Sequence, residues 1–91
     1  MQAIDIEIDY DKEAKRIGLI VGISEEIYFC SISHVSQVYI EYINDNWVAW
    51  RESYVPNTNQ RTSYKLITQG NFELVIARMK NYLTYIKRKK G

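Results

Sequence analysis

Phe72, Val75, Ile76, Met79, Leu83 and Ile86 follow one another at spacings of three, one, three, four and three, the apolar stripe of an amphipathic helix. Thr68 or Asn71 is placed to cap its start, and the lysines and arginine of the last turn suit the negative end of its dipole. A helix over about 69–88 is then ~30 Å long, enough to cross a small sheet. Everything upstream reads as strands and turns. One helix must therefore back the whole sheet, and it can cover only one face.

Period-two alternation and turn residues mark the strands. Ile4, Ile6, Ile8 and Tyr10 alternate with Asp5, Glu7 and Asp9, a half-buried strand with an acidic face, and Asp11–Lys15 is a hairpin-length connection. Arg16–Ile23 is a second strand, in which Gly18 and Gly22 flank Ile20 and predict a bulge or close backbone approach. Ser24-Glu25-Glu26 turns into Ile27–Ile32, and Val35–Ile43 ends at the turn signal Asn44-Asp45-Asn46. Trp47–Val55 returns, Pro56–Gln60 is a polar loop, and Arg61–Ile67 is one more short strand. The expected fold is α+β: an antiparallel sheet of about five or six strands over about 4–67, with one C-terminal amphipathic helix packed on one face.

Composition narrows the class. At 91 residues the chain is expected to be a single domain, 1–91, burying ~60–65% of its unfolded surface. Cys30, the single cysteine, cannot form an internal disulfide, so no secretory framework is implied. No apolar run approaches the ~18 residues of a membrane span, and the acidic start is unlike a signal peptide. A cytoplasmic, intracellular protein without a membrane partner is the expectation. The formal net charge of +1 is a cancellation: residues 1–13 carry −4, residues 14–77 carry −1, and residues 78–91 carry +6. Thirteen isoleucines with many tyrosines, asparagines and lysines hint at an AT-rich source such as a phage, virus or mobile element.

The sheet face opposite the helix must meet water, a partner or a ligand. The 35–55 hairpin offers it Tyr39 or Tyr42, Trp47 or Trp50, Arg51 and Tyr54, with register deciding each pair. Aromatic rings on an open sheet can stack unpaired bases. Arg61, Lys65 and the helix end Lys87, Arg88, Lys89 and Lys90 can contact phosphates. The same rings also suit a sheet core or a homodimer interface. From Gln37 to Tyr85, through VYIEYI, WVAWRES, SYKLI and FELVIARMKNYL, the order of strands, loop and capped helix resembles single-strand-binding modules of the Whirly and Pur-alpha type. That resemblance implies dimers of helix-backed sheets.

Asp5 and Glu7 lie two residues apart on one strand face and are the candidate pair for a divalent cation. Ala3 to Cys30 resembles the opening strands of DEDD-type proofreading exonucleases, in which such a D-x-E binds the metals. Two-metal phosphoryl chemistry needs more carboxylates than these two, and no further acidic motif follows the helix. A charged strand edge that resists aggregation explains them better. His34 with Cys30 supplies two ligands where a structural zinc needs four, and Cys30 between Phe29 and Ser31 reads as a buried thiol.

The leading expectation is a small non-enzymatic protein that binds single-stranded nucleic acid. Its candidate residues are Tyr39, Trp47, Trp50, Arg51, Tyr54, Arg61, Lys65, Lys87, Arg88, Lys89 and Lys90, and it uses no cofactor. The alternative is a protein-interaction module or small viral or mobile-element inhibitor acting as a homodimer. The third is a partial relative of the DEDD exonucleases.

Overall fold

A computed structural model of the chain describes residues 8–90, with side-chain surroundings through Lys89. The elements are α1 (Tyr10–Arg16), β1 (Ile20–Ile23), β2 (Ile27–Ser33), β3 (Ser36–Ile43), β4 (Asn46–Tyr54), β5 (Arg61–Gly70) and α2 (Phe72–Lys90). The five strands form one antiparallel meander in the order β1-β2-β3-β4-β5. The α+β fold read from the sequence is the observed one.

The first strand is different. Ile4, Asp5, Ile6 and Glu7 lie outside the described residues, and Tyr10 is helical rather than extended. The expected connection Asp11–Lys15 is likewise helix. Its cause is local: Asp9 caps the helix by accepting from Lys12 N at 3.1 Å. Asp11 and Glu13 then occupy the first turn and Lys15 and Arg16 the last, as the helix dipole favours. Glu13 and Arg16 also pair at 3.1 Å.

Gly18 ends this helix at a φ of +97. Leu19 N donates to Ala14 O at 3.0 Å and Gly18 N to Lys15 O at 3.0 Å, the paired bonds of a Schellman C-cap. The strand expected from Arg16 is shortened accordingly and begins at Ile20. A register shift between Val21 and Ile23 fulfils the bulge expected at Gly22.

The other connections follow their turn residues. Asn44 and Asp45, at φ 51 and 62, form the two-residue β3–β4 turn. Asn71 rather than Thr68 caps α2, its Oδ1 accepting from Leu74 N at 2.8 Å. Thr68 is still in β5, which runs past the expected Ile67 to Gly70.

Alternation then sorts the side chains between two faces. Tyr28 of β2, Val38 and Ile40 of β3, and Trp47 and Ala49 of β4 turn toward the helices and are buried with Phe72, Val75 and Met79 of α2 and Ala14 of α1. Trp47 is the hub of this core. Tyr10 stacks on it at 5.5 Å, Phe72 meets it edge-on at 5.0 Å, and Tyr28 lies parallel at 6.0 Å. The rest of the stripe, Ile76, Leu83 and Ile86, is half-buried.

Candidate interaction surfaces

Register resolves each aromatic pair left open by the sequence. Tyr39 pairs with Trp50 and Tyr42 with Trp47, so each pair shares a face. Tyr39 and Trp50 belong to the open face, with Tyr42 and Trp47 on the helix side. Trp47 is 6% exposed and belongs to the core. Arg51, next to Trp50 on β4, turns to the helix side, because period two groups it with Trp47 and Ala49.

The open face carries a row of rings running across the strands. Ile20, Phe29, Tyr39, Trp50 and Leu66 occupy successive register positions on β1 to β5. Phe29 and Tyr39 lie 6.4 Å apart, Tyr39 and Trp50 stack at 5.1 Å with planes 17° apart, and Trp50 and Tyr64 stack at 6.3 Å. The rings therefore spend their faces on one another.

Glu52 gathers the polar atoms of this face. It accepts from Tyr54 Oη, from Trp50 Nε1 at 3.2 Å and from Arg61 Nη1 at 3.2 Å. Tyr39 Oη lies 3.2 Å from Tyr54 Oη and donates to Gln37 Oε1 at 2.8 Å. Desolvation pushes the Glu52 carboxyl up, but the bonds from Tyr54, Trp50 and Arg61 and the guanidinium charge outweigh it, so the group rests below its ordinary value. The bond to Glu52 raises the Tyr54 phenol above its own. Arg61 also lies over the Tyr64 ring at 5.5 Å.

Apart from Arg61, the cations expected beside these rings are elsewhere. Lys65 pairs with Arg51 on the helix side of the sheet and lies over the Tyr82 ring of α2 at 5.9 Å. Arg51 donates to Tyr82 Oη at 2.8 Å and to Ser36 Oγ at 3.3 Å. Lys89 donates to Tyr85 Oη at 3.2 Å. Arg51, Lys65, Tyr82, Tyr85 and Lys89 line a groove of about 420 Å³ between the sheet and the end of α2, with Ile32, Ser33 and Ile86 also lining it. Among the described residues no carboxylate lines it. The sequence had named Arg51, Lys65 and Lys89; Tyr82 and Tyr85 were missed. Their cue was the spacing 78, 82, 85, 89, a second stripe beside the apolar one.

Lys87 lines a different groove, of about 720 Å³, between α1, β2 and α2. Arg88 is exposed, and the Lys90 side chain lies outside the description. The proposed basic helix end is thus divided among several surfaces rather than gathered into one site.

Cys30 lines the larger groove, and burial pushes its thiol up, which opposes a thiolate nucleophile. Among the described residues no three His, Cys, Asp or Glu side chains are grouped to hold a metal; Asp5 and Glu7 lie outside those residues. α1 stands where the exonuclease resemblance has a short turn. No helix among the described residues is long and apolar enough to cross a membrane. Compared with known proteins, the chain matches no family model, no curated protein and no solved structure.

Proposed function

We propose that the protein is a small non-enzymatic nucleic-acid-binding module that holds an unpaired strand along the groove between β5 and α2. The observation that carries this reading is the convergence there of Arg51, Lys65 and Lys89 with Tyr82 and Tyr85, without a carboxylate in the lining. Three cations with no acidic partner among the described residues leave a positive field for phosphates. Arg51 is held by hydroxyls alone, which keeps its charge un-neutralised and its guanidinium oriented. Tyr85 is 55% exposed and can stack a base, an interaction worth ~1–3 kcal/mol.

The open face suits this role less well than the sequence suggested. Its rings cover one another's faces, and its central donors are committed to Glu52 and Gln37. The strand therefore runs on the helix side.

Fluorescence anisotropy with labelled single-stranded DNA and RNA tests the reading. Neutralising three phosphates predicts a slope of log K against log salt of about −2 for a single strand. The pair Lys65→Glu and Lys89→Glu is expected to abolish binding with the melting curve intact. Native protein that binds neither nucleic acid at low salt rejects the proposal. A protein-interaction module is the second reading, favoured by the uncovered aromatic row; a strict monomer without nucleic-acid affinity would support it.

A further inference from the structure

We infer that the open face is a self-association surface on which a second copy of this chain packs face to face. The first ground is extent. Five strands ~4.8 Å apart, each about seven residues long at ~3.3 Å per residue, give a plan area of ~550 Å² per copy. Two copies together then clear the ~1,000 Å² that a specific interface needs. The face is also apolar where it is most accessible: Ile20 is 55% exposed, Tyr64 50% and Leu66 46%, and a patch of this kind marks an interaction surface.

The second ground is that the polar groups at its centre are already closed on themselves. Trp50 and Tyr54 donate to Glu52, and Tyr39 donates to Gln37. Covering these groups with an apolar surface strands none of those donors. A second copy brings a surface of that character.

The third ground is charge. Glu41 lies toward the β3–β4 turn, whereas Arg61 pairs with Tyr54 at the opposite end of β4. Arg61 is paired with Glu52 within its own copy, so a two-fold axis lying across the strands lays Glu41 of each copy over a neutral end of the other and keeps the two Glu41 carboxylates apart.

Sedimentation equilibrium of the full chain across the micromolar range tests the inference, with a dimer of twice 10.8 kDa expected. Leu66→Lys and Ile20→Lys alter opposite sheet edges at exposed positions. Each is expected to weaken the dimer about 30-fold or more, because a two-fold interface loses the side chain twice. Circular dichroism and melting of each variant at low concentration verify folding. Lys89→Glu, in the groove on the other side of the sheet, is expected to leave the dimer unchanged. Native protein that stays at 10.8 kDa throughout overturns the inference and leaves the face to a foreign protein. So does a dimer indifferent to both lysine substitutions. Neither result touches the nucleic-acid reading, which anisotropy measures independently.

Discussion

Asp11 serves three donors with two oxygens. Oδ2 accepts from Ser24 Oγ at 2.6 Å, and Oδ1 accepts from Tyr28 Oη at 2.6 Å and Glu25 N at 3.0 Å. One carboxylate thereby ties α1 to the β1–β2 turn, where Glu25 sits at a φ of 61. The bond from Ser24, then those from Tyr28 and Glu25, hold the group below its ordinary value of 3.8. A lowered carboxylate stabilises the fold above its unfolded pKa, and that contribution is lost as pH falls through the folded one. Asp11→Asn should therefore melt below the native protein at about pH 7, and the two Tm curves should converge as the pH falls below the ordinary carboxylate value of 3.8. Curves that stay parallel would assign the loss to shape rather than charge. Arg51 shows the limit of reading single residues. Its charge and its place among aromatics were plain, but its partners Tyr82 and Ser36 lie 31 and 15 positions away, and no local pattern announces such contacts.

Among the elements, those specified by short-range chemistry were the readable ones. The Asn44-Asp45 turn and the stripe of α2 each announce themselves within a few residues, and both stand where expected. Helix α1 was misread because two patterns overlap at Ile8 to Tyr10. The alternation Ile4-Ile6-Ile8-Tyr10 argues for strand, while Asp9 followed by early acids and late bases argues for helix. Capping decided the matter from Asp9 onward. The sheet faces were ambiguous for another reason: period two groups alternate residues of one strand, but it sets neither the register that places Tyr39 opposite Trp50 nor the face the distant helix will take. The end of α1 offers a direct check. Beyond its two chain neighbours, no atom of the described residues lies within 4 Å of a Cβ built on Gly18, so its φ of +97 is the main obstacle to a side chain. Gly18→Ala should cost ~1–2 kcal/mol, read by chemical denaturation. An unchanged midpoint would mean that the Schellman turn relaxes without loss.

For the whole molecule, the formal +1 conceals a division between surfaces. The helix side holds Arg51, Lys65 and Lys89 in a groove that no carboxylate among the described residues lines, while the open face neutralises Arg61 with Glu52. The two surfaces should answer differently to conditions. Added salt should release nucleic acid from the groove by the screening of phosphate contacts while leaving an apolar dimer in place. Because dimerisation couples folding to mass action, the native Tm should rise with protein concentration, and a Tm independent of concentration would count against self-association. The final strand adds a protective consequence. β5 holds two residues more than its pairing with β4 uses, with register shifts that leave Thr62 and Ile67 unmatched, and it carries Arg61 and Lys65 along the same stretch. A long, regular, unpaired edge would be a template for runaway fibril growth. With its rhythm broken twice and a positive charge near each break, β5 makes a poor template for the next strand, so this sheet can expose an edge without seeding amyloid.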